Sequence, residues 1–310
     1  MSALGKDHAF LTEHIRNLRG GSQPILAQAS DGLLYVVKFI NNLQGPNLLF
    51  NEGAGAELYR ACGLAVPKWK PLLVTDSFLD RNPDCWMQAP EGRLRPLPGM
   101  CFASSYLGTD GVRLQEFLPA TSFHLISNRN SFWLAWLLDV CAEHVDNRQA
   151  VFVERADARL DAFYIDHGHL FGGPNAALRK HFCASRYLDP RIYPDISSKN
   201  LLEFQRVVQA LNVDRLWERV QDFPTDWKQG SALELFARCL QRLSKPLLLH
   251  NVLDTVFESI REIHGEAPTI RPPDPGSERK LPVSVLRPGL QCATQESCRG
   301  PFRAHHPACA

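Results

Sequence analysis

Apolar residues recur along this chain with more than one period, and each period marks a different kind of element. In ILAQASDGLLYVVKFI, residues 25–40, alternating and β-branched residues flank Asp31-Gly32, a dipeptide suited to positive φ, so two strands joined by a tight turn are expected. NEGAGAELYRAC, residues 51–62, reads as a helix closed by Gly63, and LAVPKWKPLLVT then resumes an extended pattern. The first hundred residues thus run β-β-α-β. SFWLAWLLDVCAE, residues 131–143, is apolar almost all round, as a helix at the centre of a helical lobe should be. AVFV and DAFYID predict a second hairpin between residues 150 and 166. From residue 198 onward the pattern is helical, with Leu201, Phe204, Val208 and Leu211 on one face and Leu233, Phe236, Leu240 and Leu243 on another. A mostly β half therefore passes into a mostly α half, an α+β organisation with no internal repeat. From Ala267 to Ala310 there are eight of the 22 prolines and no sustained period. That stretch cannot bury enough apolar surface to offset its ordering entropy, so a disordered tail over 267–310 is expected.

Composition narrows the class. With 310 residues, 45% of them hydrophobic, the chain can bury one substantial core or one divided between two lobes. Lys plus Arg number 34 against 33 acids, and a net charge of +1 gives no broad field for nucleic acid or an acidic membrane. No run approaches the roughly 18 apolar residues that span a bilayer, and MSALGKDHAFLTEHIRNLRGG lacks a signal-peptide core. A cytoplasmic protein is expected. The nine cysteines are odd in number and show no CxxC spacing, which argues for core thiols over a disulfide framework or a zinc finger.

The candidate chemistry is spread along the chain in a particular order. LRGGSQP, residues 18–24, places Gly20, Gly21, Ser22 and Gln23 in a turn where backbone N–H groups can approach a phosphate; alone, the ordinary-turn reading is the favoured one. Lys38 ends the strand YVVK, where an ammonium can project beneath that turn and meet nucleotide phosphates. Glu52 can pair with Lys38, or can be a helix-N-terminal acid favoured by the macrodipole; Glu57 projects from another face. In AEHVDNRQAVFVE, residues 142–154, Asp146 follows the buried helix at the place of a base that accepts a hydroxyl proton, and Gln149 follows as a neutral metal ligand. In YIDHGH, Asp166 stands after a strand where a carboxylate can hold Mg²⁺ bridging phosphates. Each aspartate taken singly is an ordinary turn or cap residue. Together the five positions, in this order and context, form the parts of a protein-kinase-like phosphotransferase using ATP. His167 and His169 alternate like a metal pair, but no arrangement of Cys or further carboxylates completes a zinc site. There is no GxSxG and no Walker GxxxxGK[ST], which argues against an α/β-hydrolase and a P-loop NTPase.

The segments LRGGSQP, YVVKFINNLQG, NEGAGAELYRACGLAVP, LQEFLP, DNRQAVF and YIDHGHLF, spread over residues 16–174, resemble the HipA-like kinases in their compact form. The resemblance implies a two-lobed protein-kinase-like fold, with a β-rich N-lobe over 1–112 and a mostly helical C-lobe over 113–266. It implies ATP between the lobes, Lys38 on its phosphates, Asp146 as catalytic base and Asp166 on Mg²⁺. LQEFLP would lie at the inter-lobe hinge, with Glu116, Phe117 and Leu118 near adenine. Better-known members phosphorylate a serine on a protein, so a protein Ser/Thr acceptor is expected; a pseudokinase-type binding module and a small-molecule kinase are the alternatives. The chain also departs from ordinary protein kinases. Val151 stands where an asparagine follows the base by five residues, so Gln149, ahead of Asn147, looks like the replacement ligand in a shortened loop. DHG replaces DFG, and no activation segment with an obvious phosphorylation site is visible.

Overall fold

The computed structural model describes residues 9–108, 111–176, 185–194 and 198–245. All of them belong to one compact unit, Met1–Ala267; a second unit, Pro268–Ala310, holds none of them. The expected disordered tail lies outside the described residues.

The first half is a five-stranded sheet in the order β1-β2-β3-β7-β4. Its strands are β1 (Leu11–Asn17), β2 (Ile25–Ala29), β3 (Leu34–Lys38), β4 (Trp69–Val74) and β7 (Gly99–Ser105). The hairpin of β2 and β3 closes at Asp31-Gly32 as the sequence predicts. Gly32 takes φ +77°, and the Asp31 carboxylate accepts the Leu33 N–H at 3.1 Å. A short helix α2 (Asp76–Arg81) and a small hairpin, β5 (Met87–Ala89) with β6 (Gly92–Leu94), sit between β4 and β7. The β-β-α-β reading therefore missed helix α2 and four strands, β1, β5, β6 and β7. β1 is a sheet edge with only Leu11 fully buried, so its sequence is too polar to alternate visibly. β7 buries a compact Cys-Phe-Ala trio that carries little periodic signal.

Helix α1 (Leu48–Ala61) begins three residues ahead of the predicted start and ends at Gly63, whose φ of +78° lets the chain turn back. It is buried almost all round because its small residues permit close approach. A Cβ on Gly55 would lie 2.5 Å from Leu170 and 2.6 Å from His167, and one on Gly53 would lie 2.9 Å from Phe223.

The second half begins with β8 (Leu114–Gln115), which joins the β9 (Gln149–Glu154) and β10 (Leu160–Ile165) hairpin in a three-stranded sheet. Helices α3 (Ser131–Cys141), α4 (Ser198–Gln209), α5 (Val213–Gln221) and α6 (Ala232–Leu243) complete it. Phe204 and Val208 of α4 and Phe236, Leu240 and Leu243 of α6 are buried as their spacing predicts. One hydrophobic cluster fills the five-stranded sheet; a larger one joins α1 to the helices and the three-stranded sheet. The Trp227 indole crosses between the halves and donates to the Met100 carbonyl at 2.7 Å. The five cysteines among the described residues are buried and unbridged.

Candidate functional site

A cleft of about 800 Å³ opens between the two halves. The turn after β1, the end of β3, the end of β7, the loop before β9 and the loop after β10 all line it.

At its inner end Lys38 is buried and held by two carboxylates: it donates to Glu52 and, at 2.7 Å, to Asp166. Burial alone would release its proton, but the Asp166 and Glu52 charges outweigh burial and hold its pKa above the ordinary lysine value. Burial raises the Glu52 carboxyl despite Lys38 beside it. Burial also opposes ionisation of Asp166, yet there the Lys38 charge prevails and its pKa falls well below the usual carboxylate range. Glu52 lies in the second turn of α1, past the orphan N–H groups, so pairing with Lys38 and not the macrodipole explains it. Its other contacts are the N–H groups of His167, at 3.1 Å, and Gly168, at 3.0 Å. Glu57 points elsewhere, to Arg60 and Arg219.

Asp166 itself stands in the left-handed region, φ +59° and ψ +62°, at the entry to a short 3-10 turn, His167–His169. That conformation costs a residue other than glycine about 1–3 kcal/mol and persists where its surroundings fix it. Here they do. The Asn51 amide donates to the carbonyls of Gly168 and Leu170, and a Cβ on Gly168 would come within 2.9 Å of the Glu52 carboxylate. The Gln149 amide reaches the outer oxygen of Asp166 at 2.8 Å.

Beneath this loop runs a buried network that the sequence reading did not find. Arg148 forms a two-pronged pair with Asp139 of α3, at 2.8 and 2.5 Å, and donates to the Ile165 carbonyl at 3.0 Å. Its guanidinium lies over the Tyr59 ring of α1, and the Tyr59 hydroxyl also donates to Asp139 at 2.5 Å. One arginine thus ties α1, α3 and both loops. The available signal was Asp139, a lone acid inside an otherwise apolar helix, which must find a cation when buried. His144 and His167 are buried too; burial first, and then the Arg148 charge, push both far below the ordinary histidine pKa and keep them neutral.

Asp146 differs from Asp166. Its side chain is 45% exposed, against 19% for Asp166, and its nearest charged-capable neighbour is His169 at 3.8 Å. Among the described residues no group of three or more His, Cys, Asp or Glu could hold a metal ion; the His167 ring meets Arg148 and the His169 ring meets Gln44. Asp166 and Gln149 are adjacent oxygen-bearing groups. That set suits a hard cation that takes its remaining ligands from phosphates.

Of the turn residues, Gly20 and Ser22 line the cleft, and Gly20 needs its freedom because φ is +126°. Gly21 and Gln23 do not line it. A Cβ on Gly21 would meet the Gln44 amide at 2.6 Å, and the Gln23 side chain brackets the backbone of Gln88 at 3.0 and 2.5 Å. Glu116 and Phe117 line the mouth, but Leu118 is buried in the larger core. The chain leaves the five-stranded sheet through Ser104–Leu107, which lines the cleft and which the sequence reading passed over; LQEFLP follows later, as its Leu114 and Gln115 already pair with β9.

No family model matches the chain, and no curated protein matches it. Among solved structures it is similar to a Helicobacter pylori proinflammatory kinase, CtkA, with a TM-score of 0.51 at 15% identity, over 79% of this chain and 97% of that one. The Golgi casein kinase follows with a TM-score of 0.44 at 14% identity, over 81% of this chain and 73% of that one. The same kinase with Mn and ADP bound gives 0.41 at 13% identity, over 80% and 72%. No described helix is long and apolar enough to cross a membrane. A β-rich first half, a helical second half and the CtkA likeness together establish a protein-kinase-like α+β fold.

Proposed function

We propose that this chain is a HipA-like, ATP-dependent phosphotransferase that moves the γ-phosphate to a Ser or Thr hydroxyl of a protein. One observation carries the reading: Lys38, Glu52 and Asp166 form a single buried ion cluster at the inner end of a cleft whose outer part holds Asp146. A lysine fixed by a helix glutamate beside a post-strand aspartate is the arrangement that positions nucleotide phosphates in kinases.

The N-lobe of residues 1–112 and the C-lobe of 113–266 enclose the nucleotide. Val36, Phe102 and Val151 supply apolar surface for the base, beside the backbone of Ser104–Leu107 and the side chains of Glu116 and Phe117. Gly20 and Ser22 cover the phosphates, and Lys38 turns from Asp166 toward them. Asp166 and Gln149 would hold Mg²⁺, which neutralises charge on the transferring phosphate. Asp146 accepts the proton of the acceptor hydroxyl as its oxygen bonds to the γ-phosphorus and ADP departs. Its exposure suits a base that must meet a macromolecule.

The test is thermal stability with Mg²⁺ and ATP beside Asp166→Ala, followed on the same samples by transfer of labelled γ-phosphate. Nucleotide at about 100 times its Kd should stabilise the native state by roughly 2.7 kcal/mol. Stabilisation that needs Mg²⁺ and is lost in the variant, with label on added protein, is the expected result. Stabilisation without transfer to any hydroxyl would mark a nucleotide-binding module instead, and no stabilisation under any nucleotide condition would refute the reading.

A further inference from the structure

The two most exposed large apolar side chains among the described residues are Leu188, at 72%, and Phe117, at 66%. Both line the same cleft that holds Asp146 and Asp166.

Leu188 is held out by construction. It belongs to a bent segment beside the loop of Asp146, where Arg148 and Tyr187 form an isolated parallel β-bridge and the Arg148 N–H donates to the Arg186 carbonyl at 3.1 Å. Tyr187 points inward, its ring 5.4 Å from that of Phe132 and its N–H donating to the Tyr193 hydroxyl at 2.8 Å. Tyr187 is anchored inward, and Leu188, at the bend that follows it, faces water. Phe117 is set in the same way: its neighbour Leu118 is buried in the larger core and Phe117 is left at the cleft mouth. Leu188, exposed beside the loop of Asp146, leaves apolar surface in the cleft that association would bury favourably.

The charge of the cleft is asymmetric. Arg16 and Arg19, at the end of β1 and in the turn after it, are exposed cleft residues with no acid partner among the described residues. On the opposite side Glu116 stands next to Phe117, while Asp189 is already paired with Arg191 at 2.7 Å. The wall on the β1 side thus offers two guanidinium groups, which favour carboxylates by charge and by fork geometry.

We propose that the acceptor is an extended polypeptide segment carrying an apolar side chain close to the Ser or Thr hydroxyl, seated on Leu188, and an acidic residue that reaches Arg16 and Arg19. This rests on the phosphotransferase reading and names its substrate class: a protein segment, not a small polar metabolite.

The experiment uses the full chain with Mg²⁺, ATP and a synthetic Ser/Thr peptide library degenerate on both sides of the hydroxyl. The parent should select Leu, Ile, Met or Phe near the hydroxyl and Asp or Glu at a further position. For a selected peptide, Leu188→Ser should raise the acceptor KM about tenfold, the effect of losing one well-buried apolar contact, and leave the ATP KM unchanged. Arg16→Gln with Arg19→Gln should erase the acidic preference and keep the apolar one. A library labelled without preference, a preference for basic residues, or an Arg16/Arg19 variant that raises the ATP KM and spares peptide choice would overturn the proposal. So would label on small hydroxyl compounds alone. Absence of both nucleotide stabilisation and any transfer would sink the phosphotransferase reading itself; stabilisation by Mg²⁺ and ATP with no peptide labelled would sink this proposal and spare nucleotide binding.

Discussion

The inner and outer ends of the cleft are built on opposite principles. At the inner end every charged group has a partner: Lys38 binds Glu52 and Asp166, Arg148 binds Asp139, and Glu52 also takes two backbone N–H groups. At the outer end the Asp146 carboxylate accepts the Asn147 N–H at 2.7 Å and has a histidine at 3.8 Å but no cation paired with it among the described residues, and Leu188 and Phe117 have their apolar faces in water. Buried charges cost too much to leave unpaired, so the inner end is fixed by folding itself. Exposed groups cost little to leave unsatisfied, so the outer end can be shaped by what it must meet. On the proposed reading the inner end carries stability together with the nucleotide site, while the outer end carries the proton acceptor and the acceptor contacts with little stake in stability, and substitutions should separate the two.

The sharpest separation is at Asp146. Asp146→Asn keeps the shape of an exposed side chain and removes its ability to take a proton. Transfer should fall by about 10² to 10⁴-fold, the usual worth of a general base, with the thermal midpoint unchanged. Parallel rate and melting measurements check it; a variant as fast as the parent would remove Asp146 from the reaction.

The reverse result is expected at Asp139, which lies well behind the cleft. Asp139→Ala leaves the Arg148 guanidinium buried without its carboxylate and should cost roughly 3–5 kcal/mol, read from denaturant unfolding. Gly168→Ala tests the same end more gently. The added methyl would lie 2.3 Å from the Leu48 side chain and 2.9 Å from the Glu52 carboxylate, so both side chains must give way. Overpacking of this kind costs about 1–3 kcal/mol, and because it displaces Glu52 it should weaken nucleotide-dependent stabilisation as well. A variant that melts lower yet gains the parent's full nucleotide shift would show that Glu52 need not be held so tightly.

These two ends were not equally legible beforehand. Turn chemistry places the hairpin around Asp31-Gly32 by itself, whereas Lys38, Asp146 and Asp166 are each ordinary alone and stand out as candidates only through their order along the chain. The Arg148–Asp139 pair spans nine residues across a helix end, and nothing in either residue's neighbourhood names its partner. The cleft role of Ser104–Leu107 was hidden because β7 is made largely of small residues, Gly99, Ala103, Ser104 and Ser105 among its seven. Gln23 and Leu118 were drawn toward the cleft by proximity in sequence, whereas their side chains go to the Gln88 backbone and to the core. Period and motif report what a residue can do; which way it faces depends on the strand next to it.

Acidity distinguishes the ends again. The Asp166 carboxyl has a depressed folded pKa, so it contributes stability above its unfolded value of about 4, and that contribution drains away as pH falls through the lower folded value. Glu52 acts in the opposite sense, since burial raises its pKa and protonation relieves a cost. Acid unfolding of the parent beside Asp166→Asn isolates the first effect: the variant should lose less stability than the parent between about pH 4 and pH 2. Equal slopes would mean that Lys38 does not hold the Asp166 charge as tightly as their 2.7 Å separation requires.

The smallest effect expected is also the most discriminating for the mouth. Leu188→Ser and Phe117→Ser remove apolar groups that are already mostly in water, so neither should change unfolding free energy by more than about 0.5 kcal/mol. Tyr187→Ser, one residue away, empties a site packed against Phe132 and Phe152 and should cost several times more. If Leu188→Ser were as costly as Tyr187→Ser, Leu188 would be a packing residue and the mouth would have no apolar surface to offer. If only the tyrosine matters for stability, the leucine is held at the cleft for something outside the fold, and a change in acceptor choice is where its role must register.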